Sequence, residues 1–111
     1  MSTLSTHVLD AASGRPAADV RVALDRRDGD SWRRLGEGIT DDEGRVGDLA
    51  AGGLGAGVHR LVFATGDYFA ATGQTGFYPE VPVVFEVTDP NRHYHIPLLL
   101  SPYAFSTYRG S

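Results

Sequence analysis

Short runs in which apolar residues dominate or alternate with polar ones follow one another along the chain. They cover residues 4–9, 20–24, 32–38, 58–64, 81–87, 93–100 and 104–108. Each run has the length of a β-strand, and the Gly, Pro, Asp and Asn between them supply the fixed or positive φ angles that turns need. Seven or eight short strands at this spacing predict an all-β sandwich.

The pattern also predicts one short helix and a strand that places two histidines on the same face. Residues 65–72 are predicted to form a single short helix, in which Tyr68 and Phe69 cover one sheet. In the run 93–100 the even-numbered residues are apolar and share one face of a strand, because side chains alternate with period 2. His93 and His95 therefore lie together on the opposite face.

Length, charge and cysteine content narrow the class of protein. With 111 residues the chain is predicted to form one domain over 1–111, and its 41% hydrophobic and 22% charged residues are typical of a soluble globular protein. No apolar run approaches the roughly 20 residues of a membrane span. The formal net charge of −4 argues against nucleic acid or anionic lipid as a partner.

The beginning of the chain and the lack of cysteine bear on its compartment. The first residues contain neither a basic region nor an apolar core of a secretory signal, which favours a cytoplasmic protein. The absence of cysteine excludes disulfides and thiolate chemistry and is compatible with a reducing compartment. A mature form after removal of a signal would look the same.

Two loops superficially resemble ligand-binding motifs. The glycines of 51–57 fit neither a dinucleotide fingerprint nor a P-loop, and no helix follows them, so this segment is interpreted as a flexible connector. Residues 41–44 lack the alternating oxygen ligands and the terminal Glu of a calcium loop. They are predicted to form a β-turn.

Several segments spread along the chain carry a family resemblance. They are Leu4-Ser5-Thr6-His7-Val8-Leu9-Asp10, Gly14-Arg15-Pro16-Ala17, Gly44-Arg45, Gly66-Asp67-Tyr68-Phe69, Phe77-Tyr78-Pro79-Glu80-Val81 and the ending Tyr108-Arg109-Gly110-Ser111. In order and spacing they resemble the 5-hydroxyisourate hydrolases, the transthyretin-related enzymes of urate breakdown. The resemblance extends from residue 4 to residue 111.

The resemblance implies both an architecture and an activity. The implied fold is a transthyretin-like sandwich of two four-stranded sheets with one short helix, assembled as a homotetramer that is a dimer of dimers. The implied reaction is the hydrolysis of 5-hydroxyisourate to 2-oxo-4-hydroxy-4-carboxy-5-ureidoimidazoline in purine catabolism, without a metal or other cofactor. Because one small sandwich offers little concavity, we expect the site at a subunit interface.

His7, Arg45 and His95 match the positions where the resembled family keeps its active site. Opening a cyclic amide with water requires a base, stabilisation of the oxyanion and an acid for the leaving nitrogen. Histidine suits the proton steps because its ordinary pKa is about 6.5. We expect His7 to be the base on water and His95 to orient that water or relay its proton; the reverse assignment is open.

Arg45 and the tail complete the expected site. Arg45 offers a planar set of donors for the substrate carbonyls and for the charge of the transition state, whereas the alternative is a turn arginine paired with a nearby aspartate. Tyr108 is expected to contact substrate, and the hydroxyl or terminal carboxylate of Ser111 to join the catalytic groups, unless the terminus is frayed. His93 is expected to support the site or an interface, and His59 to be structural.

Three other functions compete with this interpretation. A zinc hydrolase would use His7, His93 and His95 as ligands, but Arg45 near a dication is electrostatically unfavourable. A transthyretin-like carrier would bind a small ligand without catalysis, on the same sandwich; the carriers lack the Tyr-Arg-Gly-Ser ending and the histidine set. An immunoglobulin-like adhesion module would leave the histidines and the tail without a role.

Overall fold

The computed structural model describes residues 3–111 as eight strands and one helix. The strands are β1 (Thr3–Asp10), β2 (Arg15–Pro16), β3 (Arg21–Asp28), β4 (Ser31–Ile39), β5 (Gly57–Phe63), β6 (Val81–Val87), β7 (His93–Ser101) and β8 (Ala104–Thr107). The helix α1 (Thr65–Ala71) lies between β5 and β6. Every predicted run falls on a strand, and the predicted short helix is confirmed.

The strands form two four-stranded sheets, which confirms the predicted sandwich. Sheet A has the order β2-β1-β7-β8, and sheet B has the order β4-β3-β5-β6. The pair β1 and β7 is parallel, whereas the other strand pairs in residues 3–111 are antiparallel. The parallel pair places the first strand beside residues that follow it by 90 positions, from Thr3 opposite His93 to Asp10 opposite Leu100.

The core lies between the inner faces of the two sheets. Burial alternates along β1, where even-numbered residues are buried and odd-numbered ones are more open. Fully buried core side chains include Val8, Leu24, Leu61, Phe63 and Leu98. Burial of each such side chain stabilises the fold by about 1.5–3 kcal/mol. The odd-numbered residues of β1 and β7 therefore face away from the core, on the outer face of sheet A.

The run 20–24 proves too short, because β3 continues through charged residues to Asp28. The carboxylate of Asp25 is buried on sheet B, where Arg34 Nε lies 2.9 Å and Arg60 Nε 2.8 Å from its two oxygens. The bond from Arg34 lowers the pKa of Asp25 most, and with the bond from Arg60 it outweighs burial, so the pKa lies below its usual value. A buried charge is tolerated here because it is paired on both sides.

The helix covers one end of the core. Tyr68 and Phe69 are buried, as predicted, and the Tyr68 hydroxyl donates a hydrogen bond to Asp10 Oδ2 at 2.7 Å. The helix thereby contacts the last residue of β1. With seven residues it is also too short to cross a membrane, and no other helix in residues 3–111 is long and apolar enough to do so.

Of the two glycine-containing loops, one forms the predicted turn and the other is packed against the core. Residues 41–44 form the predicted β-turn, in which Gly44 N donates to the Asp41 carbonyl at 2.9 Å. Gly44 has a φ of 77°, and a side chain there would collide with the carbonyl of Val8. In 51–57, Leu54 is buried with 3% exposure, so this segment is anchored in the core and is more than a connector.

Candidate active site

A cluster of polar side chains lies on the outer face of sheet A, where β1 and β7 run side by side. On β1 these are Thr3, Ser5 and His7; on β7 they are His93 and His95. The register sets Thr3 opposite His93 and Ser5 opposite His95. The prediction that His93 and His95 share a face away from the apolar residues of β7 is confirmed, and the rings are stacked at 6.5 Å.

The two histidines expected to move protons lie on adjacent strands of this face. His7 is opposite Pro97, two residues along β7 from His95. Strand spacing and rise per residue place their Cα atoms roughly 8 Å apart. Both side chains are half-buried, so each is accessible to a ligand and still held by its strand.

Arg45 joins the cluster through the turn that precedes it. The backbones of Arg45 and His7 form an antiparallel bridge. Asp41 fixes the turn, since its Oδ1 accepts from Arg45 N at 3.0 Å and its own N donates to the Arg45 carbonyl at 2.7 Å. Val8 N donates to the Gly44 carbonyl at 2.8 Å, and glycine is required at this position because φ is 77° and a side chain would collide with the Val8 carbonyl.

The guanidinium of Arg45 is not committed to a structural role. Its side chain is 57% exposed, and Nη1 donates to Glu43 Oε2 at 3.2 Å. The partner is thus Glu43 rather than one of the aspartates expected for a turn arginine. An exposed ion pair of this kind contributes about 0–1 kcal/mol, so it is readily exchanged for a ligand.

The C-terminal tail is paired with β7 as far as Gly110. Gly110 N donates to the His95 carbonyl at 2.8 Å, and the two residues form a bridge in the register of the β7 and β8 ladder. A side chain at Gly110 would collide with the His95 ring. The Arg109 guanidinium lies 4.9 Å from the centre of the Tyr94 ring. The tail is therefore ordered against the site up to the residue before Ser111, which is itself exposed.

A cavity of about 310 Å³ opens beside the tail, between β6 and β7. Its lining includes His95, Tyr108 and Arg109, and Tyr108 is 59% exposed. Neither His7 nor Arg45 lines it, so the cavity of a single chain contains only part of the predicted site. A larger cavity of about 550 Å³ lies against sheet B and contains none of the predicted site residues.

The charges of the cluster favour a neutral His95. Burial lowers the pKa of His95, and the neighbouring charges of His93, His7 and Arg45 lower it further, against a hydrogen bond with Ser5. A neutral imidazole at neutral pH can accept a proton at one nitrogen and donate at the other. Arg45, whose guanidinium stays charged, adds a cation to this face that suits an anionic or carbonyl-rich ligand.

Sequence reasoning missed Ser5 and Thr3. Ser5 Oγ lies 2.7 Å from His95 Nδ1 and 2.9 Å from His93 Nε2, and the Thr3 hydroxyl bonds to His93 Nδ1. Alternation within 3–10 places these hydroxyls on the face of His7, which is the one local signal available. Their contact with histidines 90 positions later depends on the strand pairing.

His59 and the grouping of metal-ligating side chains bear on two further roles. His59 is fully buried on the inner face of β5, with its ring 5.7 Å from that of Phe85, which confirms its structural assignment. Among residues 3–111, no three or more His, Cys, Asp or Glu side chains are grouped to hold a metal ion.

The two sheets, the single helix and the parallel β1 and β7 pair define a transthyretin-like sandwich, here with an imidazole and arginine cluster on the outer face of sheet A. The chain belongs to the HIUase/Transthyretin family, whose model matches residues 4–110. It is 48% identical to the 5-hydroxyisourate hydrolase of Caulobacter vibrioides, with 100% of each chain covered.

Solved structures of this fold include a 5-hydroxyisourate hydrolase, a transthyretin bound to thyroxine and an (S)-allantoin synthase. The structure of Klebsiella pneumoniae 5-hydroxyisourate hydrolase has a TM-score of 0.90 and 39% identity, with 100% of each chain covered. Sea bream transthyretin in complex with thyroxine has a TM-score of 0.90 and 33% identity, over 97% of this chain and 94% of that one. The chain spans 44% of an (S)-allantoin synthase, with a TM-score of 0.90 and 37% identity.

Proposed function

We propose that this protein hydrolyses 5-hydroxyisourate to 2-oxo-4-hydroxy-4-carboxy-5-ureidoimidazoline. The observation that carries the proposal is the convergence of His7, Arg45 and His95, from three distant parts of the chain, on one face of sheet A. The relative from Caulobacter vibrioides that bears the hydrolase name matches the chain over its whole length, which supports the same activity here.

The proposed reaction assigns a separate task to each group. His7 takes a proton from water, and the water oxygen bonds to the ring carbonyl carbon. Arg45 stabilises the oxyanion that forms, since its planar donors match an oxygen that gains charge. As the carbon–nitrogen bond breaks, His95 passes a proton to the leaving nitrogen, and the water oxygen remains in the new carboxyl group. The proton on His7 then returns to His95, so both imidazoles are neutral before the next turnover.

We assign the tail to substrate binding and to completion of the catalytic set. Tyr108 lines the cavity that also contains His95, so its ring is available to a substrate bound there. Ser111 follows directly after Gly110, which is bonded to the His95 backbone. We therefore include Ser111 among the groups that complete the site.

We further propose that the active form is a homotetramer, a dimer of dimers with the site at a subunit interface. The histidine cluster lies on the open outer face of sheet A, and the cavity beside the tail includes neither His7 nor Arg45, so a second chain packed on this face would enclose the cluster. Apolar Leu9 and Leu99 lie on the same outer face. Within residues 3–111, β6 and β8 each have one paired neighbour, which leaves an edge open for another chain.

An ultraviolet time course tests the proposed activity. 5-Hydroxyisourate is generated from urate with urate oxidase, and its decay is followed with and without this protein, each with and without a chelator. We expect decay well above the spontaneous rate that survives the chelator. Decay at the spontaneous rate with an intact assembly would reject the hydrolase and favour a transthyretin-like carrier of small ligands; loss on chelation would revive a metal site.

A further inference from the structure

A continuous row of hydrogen bonds leads from the surface of sheet A to His95. Its members are the Thr3 hydroxyl, the two ring nitrogens of His93, the Ser5 hydroxyl and Nδ1 of His95. Thr3 and His93 are exposed, whereas Ser5 and His95 are half-buried. The row thus has one end in solvent and the other on a histidine of the proposed active site.

The chemistry of these groups makes the row directional. The Ser5 hydroxyl has one hydrogen, so between two imidazoles it donates to one and accepts from the other. If Ser5 donates to His95 Nδ1, it accepts from His93 Nε2, and His93 Nδ1 accepts from Thr3; His95 then carries its proton on Nε2. If every bond reverses, His95 carries its proton on Nδ1 and Nε2 becomes a base.

We propose that Thr3, His93 and Ser5 form a proton relay that resets His95 from solvent after each turnover. The inference rests on the proposed function, because it requires His95 to exchange protons with the substrate. Ser5 and His93 are positioning residues that act through His95 and do not themselves contact the substrate.

The relay conserves protons at every member. When His95 Nε2 gives its proton to the leaving nitrogen, Ser5 passes a proton to His95 Nδ1, and His93 Nε2 passes one to Ser5. Thr3 then passes its proton to His93 Nδ1 and regains one from solvent. Each ring ends as the other neutral tautomer, so Nε2 of His95 is now a base, while His7 still holds the proton taken from water. That proton then passes through water in the site to His95 Nε2, and the row runs in the opposite direction and releases one proton from Thr3 to solvent. Both His7 and His95 are then neutral, and His95 again carries its proton on Nε2.

The first test breaks the hydrogen-bonded row by substitution and then supplies protons with added imidazole. Ser5→Ala and His93→Gln each break the row, and we expect kcat to fall about tenfold or more at low buffer concentration with little change in KM. Added imidazole should restore kcat in both variants, because a small proton donor reaches His95 directly. Ser5→Thr, which retains the hydroxyl, should remain close to the parent protein.

A matched control is Ser101→Ala at the far end of β7, where the Ser101 hydroxyl donates to the Ala104 carbonyl instead. This variant should keep the parent kcat and show no response to imidazole. The double variant Ser5→Ala with His93→Gln should be no slower than the worse single variant, since both break one chain. An unchanged kcat in Ser5→Ala, or a loss that imidazole does not restore, would overturn the relay.

Nitrogen-15 NMR of the histidine rings without substrate separates this inference from the proposed activity. We expect the Nδ1 resonance of His95 to move in Ser5→Ala and to stay in place in Ser101→Ala. Unmoved Nδ1 in Ser5→Ala would remove the relay even if the protein hydrolyses 5-hydroxyisourate. A moved resonance in a protein without hydrolase activity would instead reject the proposed function and leave the hydrogen-bonded row intact.

Discussion

Arg45 illustrates how a side chain can be fixed at its backbone and free at its charged end. The backbone of Arg45 is hydrogen-bonded to Asp41 and bridged to His7, whereas its guanidinium donates to the exposed carboxylate of Glu43. The fold thus fixes the backbone position of Arg45, and its guanidinium remains accessible to a ligand. Its contribution to stability and its contribution to catalysis should therefore separate cleanly on substitution.

Arg45→Ala should reduce kcat for 5-hydroxyisourate by about two to three orders of magnitude, the usual effect of removing an oxyanion donor. Its melting temperature should stay near that of the parent, because the lost ion pair with Glu43 is exposed. The ultraviolet assay and thermal unfolding measure the two effects. Arg33→Ala, at an exposed position on β4, is the control and should keep full activity. Near-normal turnover in Arg45→Ala would exclude this role.

His59 is a buried histidine with one ring nitrogen that lacks a hydrogen-bond partner among the described residues. Its Nδ1 lies 3.1 Å from the Gly57 carbonyl, and its Nε2 has no hydrogen-bond partner among the described residues. Burial lowers the pKa of His59, and the charge of Arg26 acts in the same direction against the bond to Gly57. The folded protein therefore holds this imidazole neutral.

The protein should lose stability as pH falls below about 6.5. There the unfolded chain binds a proton at His59 and the folded chain does not, so the free energy of unfolding decreases by up to about 1.4 kcal/mol per pH unit, until the lower folded pKa is reached. His95, whose pKa is also lowered, contributes to the same loss of stability as pH falls. Urea unfolding between pH 7.5 and 5 should show a shallower slope in His59→Phe; an identical slope would contradict the assignment.

At the scale of elements, β1 and α1 are joined by a buried carboxylate. Asp10 Oδ1 accepts from the N–H groups of Ala12 and Ser13, both at 3.0 Å, and Oδ2 accepts from the Tyr68 hydroxyl at 2.7 Å. Burial raises the pKa of Asp10, but these bonds outweigh it and the pKa is lowered overall. Burial and the same bond raise the pKa of Tyr68 to about 12.

Tyr68→Phe should lower the free energy of unfolding by about 2 kcal/mol, since it removes a hydrogen bond to a buried charged group. Urea unfolding at neutral pH measures the change. Tyr103→Phe is the matched control, because that side chain is 67% exposed and its substitution should stay within about 0.5 kcal/mol. Equal stabilities of the two variants would show that Asp10 does not depend on the helix.

At the scale of the whole molecule, the proposed site and the proposed assembly occupy the same surface. The outer face of sheet A carries the histidine cluster, and the cavity beside the tail contains His95 and Tyr108 without His7 or Arg45. A second chain against this face would complete the enclosure. Activity should then depend on association as well as on the residues of one chain.

Dilution should reveal this dependence. Turnover per chain is expected to fall in step with tetramer dissociation as the protein is diluted, because separated chains present an open and incomplete site. Sedimentation and the ultraviolet assay, performed over the same range of concentration, measure the two quantities. A monomer with undiminished turnover would show that one chain holds a complete site.

Local pattern predicted most strands and their faces, but it missed features that depend on distant partners. The two residues of β2, Arg15–Pro16, are too few to show a periodicity. The charged end of β3 lies outside the predicted run 20–24, because Asp25 is buried only with the help of Arg34 and Arg60. Propensity cannot anticipate such pairing, since the partners lie on other strands.

The sequence by itself determined where strands form and which side chains share a face, because alternation is a property of neighbouring residues. It placed His93 with His95, and the family resemblance added His7 and Arg45. Only the tertiary structure decided that β1 lies parallel to β7 with Ser5 opposite His95. A slip of one residue would turn each side chain to the other face. Register across 90 positions is set by the packing of both sheets, so the contact between Ser5 and the two histidines exists only in the folded chain.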